Sequence, residues 1–213
     1  MLDIVVAGLS ANSVPYIEGL DLQRAVHRAV VAGERPDTVL LLEHHSVYTA
    51  GKRTAPDERP TDGTPVIDVD RGGKITWHGP GQLVGYPILR LPEPVDVVGY
   101  VRRLEGILID VLSEVGVDGR RVDGRSGVWV GSPGFENKIA AIGIRVADGV
   151  TMHGFALNCS NSLEPYDRIV ACGIRDAGIT TISREIGRGL TPEDLVDPIS
   201  RRFLAAAEDA VAA

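Results

Sequence analysis

Two cysteines occur in the 213-residue chain, Cys159 and Cys172, with twelve residues between them. Neither has paired histidines nearby, so zinc-ligand spacing is missing and thiol chemistry is what remains to weigh. Cys159 follows Leu157 and Asn158 at the end of a strand-like run, where a packed thiol is the ordinary role. Cys172 lies between Ile169-Val170-Ala171 and Gly173, where a strand could hand over to a turn. A free thiol, with a pKa of about 8.5, is mostly protonated at neutral pH and needs an activating partner. His78 and His153 are available as bases. So is Lys138, which enters an apolar strand in Glu136-Asn137-Lys138-Ile139-Ala140, where desolvation would lower its ammonium pKa. Taken by its residue type, a lysine snorkelling from a strand mouth is the commoner case.

The densest concentration of special residues is Arg71 to Gln82, RGGKITWHGPGQ. Apolar runs flank it, Pro65 to Val69 before and Leu83 to Leu91 after. Glycines allow positive φ and close backbone approach, so the stretch predicts a strand end, a loop against a ligand and a second strand. Gly79 and Gly81 do not make a dinucleotide fingerprint, because Val84 stands where the third glycine belongs. No P-loop string occurs. Gly124-Arg125-Ser126-Gly127 is one residue short of a serine-hydrolase elbow. His44 and His45 lack the spacing of a zinc protease and are expected to shape a loop.

The glycine stretch resembles the signature loop of the lipoyl(octanoyl) transferase family, matching at Arg71, Gly72, Gly73, Thr76, His78, Gly79, Pro80, Gly81 and Gln82. Further similarity follows at Lys138-Ile139-Ala140 with Gly143, at His153 to Asn158, and at Cys172-Gly173-Ile174. Leu41 to His44 and Val47-Tyr48-Thr49 with Gly51 extend it upstream, so that it spans residues 14 to 187 in order. Ala171 stands where members commonly carry proline, and His45-Ser46 replaces a more proline-rich stretch.

The resemblance implies an acyltransferase with Cys172 as nucleophile and Lys138 as the group that lowers its pKa and takes its proton. It also implies a substrate pocket with one wall from Arg71, Gly72, Gly73, Lys74, Ile75, Thr76, Trp77 and His78. Ala141, Ile142 and Gly143 would form a second wall, and Gly154, Phe155 and Ala156 a third. Small, apolar lining of this kind suits a saturated acyl chain. The donor would be octanoyl-acyl carrier protein. The acceptors would be lysines on lipoyl domains of 2-oxoacid dehydrogenases and on the glycine cleavage H protein. No metal or cofactor is implied, since a thioester is already activated. An ATP-dependent lipoate or biotin protein ligase on the related fold is the alternative enzyme. A non-catalytic acyl- or lipoyl-domain-binding module is the alternative outside enzymes.

Bulk properties agree. A formal charge of −7 argues against nucleic acid, although Arg102, Arg103, Arg120, Arg121 and Arg125 are candidates for a local basic patch. No apolar run reaches membrane-spanning length. The N-terminus carries Asp3 and lacks a basic signal region, and two cysteines suit a reducing compartment, so a cytoplasmic protein is expected.

The positioning elements read as a mixed α/β (α+β) arrangement in one domain, residues 1–213, on a mostly antiparallel sheet. The resemblance adds that this is the biotin/lipoate protein ligase catalytic fold. Helical spacing runs from Tyr16 to Ala32 with Gly33 as terminator, and from Asp96 to Val115 with Gly116 closing. Thr38 to Leu42 predicts a buried strand, and Ile4 to Val6 a short one. Gly127 to Val130, Ile139 to Val146 and Val150 to Leu157 predict strands, with Asp148-Gly149 as a hairpin turn. Gly51 to Thr64 is expected as an exposed loop and Asp118 to Gly127 as a polar one, and a last helix from Thr191 is expected to be kinked at Pro198.

Overall fold

The computed structural model describes residues 2–170, 173 and 177–212. Its main sheet has eight strands: β1 (Leu2–Gly8), β2 (Asp37–Leu42), β6 (Gln82–Ile88), β7 (Arg120–Val122), β8 (Arg125–Val130), β9 (Asn137–Ala147), β10 (Val150–Asn158) and β11 (Gly178–Ile179). They run β1-β2-β6-β10-β9-β8-β7, with β11 also against β9. The pairs β1–β2 and β11–β9 are parallel and the rest antiparallel. A second sheet of β3 (Val47–Ala50), β4 (Val66–Asp68) and β5 (Thr76–His78) lies in the order β4-β3-β5. Among the described residues, four α-helices complete the fold: α1 (Tyr16–Ala32), α2 (Val97–Glu114), α3 (Ile182–Ile186) and α4 (Val196–Ala212).

Alternation along the strands sorts the core into two faces. Val39 and Leu41 of β2 join Leu83, Phe155 and Leu157 against Leu104, Leu108 and Leu112 of α2 and Phe203 of α4. Leu40 and Leu42 point the other way, with Val84 and Tyr86, onto Val26 and Val30 of α1. Both faces of β2 are thus covered, which is why its sequence is a continuous apolar run. Each of these buried Leu and Val side chains contributes roughly 1.5–3 kcal/mol.

The helix ends follow from local chemistry. Gly33 takes φ 73° and its N–H caps α1, and Asp96 accepts from Gly99 N at 2.8 Å to start α2. Asp148 and Gly149 both take positive φ, at 52° and 72°, as a two-residue type I′ turn requires.

Four expectations are corrected. Pro198 does not kink the last helix, because it sits in the first turn of α4, where its missing N–H has no intrahelical partner to lose. Thr191 instead opens a 3-10 turn, with Asp194 accepting from its N–H at 2.8 Å, and the α-helix starts at Val196. The polar stretch after Asp118 contains β7, whose backbone pairs with β8. The loop from Gly51 to Thr64 is not wholly exposed, since Gly51 and Glu58 are buried. Of the arginines read as a possible patch, Arg102 and Arg121 share the buried carboxylate of Glu105, and Arg120 pairs with Glu136.

Candidate active site

Lys138 reaches the site through an irregularity in sheet pairing. Val128 pairs with Ala140, yet Trp129 pairs with Lys138, so two steps of β9 answer one of β8. Ile139 is the extra residue and stays in the core beside Ala140. The bulge rephases β9, bringing Lys138 opposite Trp129 and into the cavity lining. Lys138 is 7% exposed. Its Nζ lies 4.6 Å from the centroid of the Trp129 ring, and the Arg125 guanidinium lies 5.7 Å from the same ring. No carboxylate among the described residues pairs with Lys138, so the ring face is the group that holds its ammonium.

The cavity beside it holds about 240 Å³. Gly73, Lys74, Thr76 and His78 line it from the glycine stretch, together with Arg71. Ala141, Ile142 and Gly143 of β9 and Gly154, Phe155 and Ala156 of β10 line it from the sheet. In register, Ala156 faces Ala141 and Gly154 faces Gly143. Gly154 leaves room for a neighbour, because a Cβ there would overlap the carbonyl oxygen of Gly85. Three residues expected in the first wall stand outside the lining. Gly72 is turned back, its N–H donating to Ile144 O at 2.9 Å. Ile75 is fully buried, and Trp77 points off the cavity to donate from Nε1 to Ser46 Oγ at 2.9 Å. The period of β5 explains Trp77: Thr76 and His78 face the cavity and Trp77 the reverse side.

Arg71 is committed to building the loop. Its guanidinium donates to the carbonyls of Gly72, Lys74 and Thr49, and to Thr49 Oγ1 at 2.9 Å. Thr49 Oγ1 in turn donates to His78 Nε2 at 3.3 Å. Gln82 Nε2 donates to Asn158 Oδ1 and Tyr166 Oη, each at 2.9 Å, so its Oε1 accepts from His78 Nδ1 at 2.8 Å. His78 therefore has one nitrogen donating to Gln82 and the other accepting, with no proton to offer the cavity. Burial, reinforced by His44 and Arg71, pushes its pKa down to about 3.

His44 and His153 are neutral too. His44 donates from Nδ1 to Val14 O at 2.9 Å, which leaves Nε2 to accept from Tyr86 Oη at 2.6 Å. Beyond shaping a loop, it thus ties the entry of α1 to the cavity-lining Tyr86. Burial lowers its pKa to about 4. His153 sits at φ 58°, a conformation few side-chain-bearing residues adopt, and is held there by Gln23 Oε1, which accepts from its N–H. Its Nε2 is 2.8 Å from Asp70 Oδ1. Asp70 is shared with Arg145. Burial first, then Arg71, Arg145 and Arg24, bring His153 to about 3. Neither His78 nor His153 has the proton affinity of a base for a thiol at neutral pH.

Cys159 is fully buried, with Sγ 3.4 Å from Leu157 O, and burial pushes its thiol well above the usual range. It is a packed thiol. Cys172 and Ala171 lie outside the described residues.

Sequence reasoning passed over Tyr16, Val84 and Tyr86, which also line the cavity. Tyr16 carried one signal, its place at the start of an amphipathic helix on the buried side. Tyr86 carried none, because its partner His44 is 42 residues away.

Residues 15–204 match the family described as the lipoyl protein ligase A/B catalytic domain. A protein named octanoyltransferase from Clavibacter sepedonicus is 69% identical over 210 residues, covering 96% of this chain and 90% of the relative. Another of that name, from Salinispora tropica, is 63% identical over 195 residues, covering 91% and 92%. Among solved structures, lipoate-protein ligase A bound with ATP superposes with a TM-score of 0.75 at 14% identity, over 98% of this chain and 86% of that one. Biotin protein ligase from Aquifex aeolicus gives 0.56 at 12% identity, over 98% and 70%. At such identities the likeness is one of fold, and it is the fold the glycine-loop resemblance implied. The chain belongs to the lipoyl protein ligase A/B catalytic-domain family and, within it, to the octanoyltransferases.

Proposed function

We propose that this enzyme moves an octanoyl group from an acyl carrier protein thioester to a lysine amine of a lipoyl domain, through a thioester on Cys172. The observation that carries the reading is a narrow cavity, walled by Gly143, Gly154, Ala141 and Ala156, with the buried ammonium of Lys138 at its edge. Its volume of about 240 Å³ is small for a ligand site and suits a slender chain.

In the first half-reaction the Cys172 proton passes to Lys138, giving the thiolate–ammonium pair. The thiolate attacks the donor carbonyl, and the tetrahedral oxyanion collapses by breaking the bond to the carrier's sulfur. That sulfur leaves as a thiol with the proton returned by the Lys138 ammonium. In the second, the acceptor amine attacks the enzyme thioester, an amide forms, and Cys172 leaves as the thiolate. The surplus amine proton passes to Lys138, which restores the resting pair. Both oxyanions need donors other than His78, whose proton is committed to Gln82. Because the donor is a thioester, no nucleotide is consumed. The expected setting is the cytoplasm, and no described helix is long and apolar enough to cross a membrane.

Incubation with octanoyl-carrier protein and a lipoyl domain, without ATP, tests this by the mass of the acceptor. Octanoylation of the domain lysine is expected. Modification only from free octanoate or lipoate with ATP would place the chain with the ligases whose fold it shares.

A further inference from the structure

Lys74 lines the cavity, yet its ammonium is already engaged. It forms an ion pair with Glu58, which is 5% exposed. The other carboxylate oxygen of Glu58 accepts from Ala55 N at 2.8 Å. The stem of Lys74 lies on Gly173, the residue after Cys172. A Cβ on Gly173 would overlap Lys74 Cδ and stand 2.5 Å from its Nζ, and the backbone there takes φ 69°. Gly173 N donates to Val170 O at 2.9 Å, and Val170 N donates to Glu58 O at 3.2 Å. Glu58 therefore holds the segment on one side of Cys172 by its backbone, and by its side chain holds the lysine that lies on the other.

We propose that the Glu58–Lys74 pair is a positioning device for the nucleophile, holding its described neighbours Val170 and Gly173 while Glu58 offsets the Lys74 charge that lies on Gly173. Consecutive Cα atoms are about 3.8 Å apart, so Lys74 is within reach of the Cys172 thiol's electrostatics. Left uncompensated, Lys74 would acidify the thiol on its own and weaken it as a nucleophile, since nucleophilicity falls with pKa. Glu58 leaves that adjustment to Lys138. Arg53, Arg71, Arg125 and Lys138 also line the cavity, and they are the same in every variant below. The proposal rests on Cys172 being the nucleophile.

The test is the pH midpoint of Cys172 alkylation by iodoacetamide, read by intact mass in a Cys159→Ala background. Glu58→Gln keeps an acceptor for Ala55 but frees the Lys74 charge, so the midpoint should fall by about one unit. Lys74→Met leaves the Glu58 carboxylate uncompensated, and the midpoint should rise. The double variant removes both charges and should return near the parent value, whereas two structural lesions would not cancel. Midpoints that both stay put, or that shift in the same direction, overturn the proposal. A parent enzyme that takes no octanoyl group on Cys172 overturns the nucleophile assignment instead, and the alkylation midpoints remain measurable in that case.

Discussion

Lys138 Nζ stands 4.6 Å above the Trp129 ring, directly across the β8–β9 pair, because a bulge at Ile139 sets the two residues opposite each other. An exposed cation–π contact contributes about 0.5–1 kcal/mol and a desolvated one about 2. Trp129→Leu should therefore slow acyl transfer by about 2- to 30-fold at a temperature where the variant is fully folded. Trp129→Phe should keep part of the rate. Equal activity in all three proteins would show that the ring does not hold Lys138.

Removing the amine should cost more. Lys138→Ala is expected to lower the transfer rate by about 10²- to 10⁴-fold, the range for loss of a general base. Lys138→Arg should not restore it, since guanidinium keeps its proton. His78 and His153, each near pKa 3, offer no substitute base at neutral pH. A Lys138→Ala enzyme with nearly full activity at pH 7 would contradict that assignment.

Gly143 has a specific neighbour to protect. A Cβ there would stand 3.0 Å from Gly72 O and 3.1 Å from Arg71 Cδ. Gly143→Ala should push the glycine stretch off β9 and reduce transfer, and Gly143→Leu should abolish it or favour shorter acyl donors. Steady-state kinetics with a series of donor lengths measure this. Unchanged kinetics for the leucine variant would move the acyl wall elsewhere.

His44, His78 and His153 predict how stability depends on pH. In the folded protein they stay neutral down to about pH 3 or 4, whereas in the unfolded chain they take up protons near pH 6.5. The unfolded state then binds more protons, so stability is present above pH 6.5 and is lost as pH falls. Each histidine accounts for about 1.4 kcal/mol per pH unit once the unfolded form is protonated. Urea midpoints should drop between pH 7 and pH 5, and His78→Gln should flatten that slope by roughly a third. A flat profile in the parent protein would show that these imidazoles are not held neutral.

Elements whose signals are local were legible in the sequence. The α1 and α2 periodicities with Gly33 and Asp96, and the Asp148-Gly149 turn, each depend on residues within a few positions. What depends on distant partners was not. The parallel pairing of β1 with β2 comes from α1 crossing between them. The bulge that aims Lys138 depends on the register against β8. The same holds in the site: the glycine stretch stood out by composition, but the facing of its side chains did not, because the short strand β5, which turns Trp77 away from the cavity, pairs with β3, far back in the chain. Glu58 was taken for part of a solvated loop, and only the fold brings it onto Lys74.

Cys159→Ala should leave transfer intact, since its thiol is buried in the core and is not among the residues lining the cavity. A modest loss of thermal stability is expected. Loss of activity in a folded Cys159→Ala protein would place the chemistry on the wrong thiol.

The covalent intermediate is the central claim, and intact mass measures it. After incubation with octanoyl-carrier protein alone, the enzyme should gain one octanoyl group that hydroxylamine removes. Peptide mapping should place that group on Cys172, and Cys172→Ser should carry no hydroxylamine-labile adduct. Turnover to a lipoyl domain with no such adduct, or an adduct mapped to Cys159, would contradict the account.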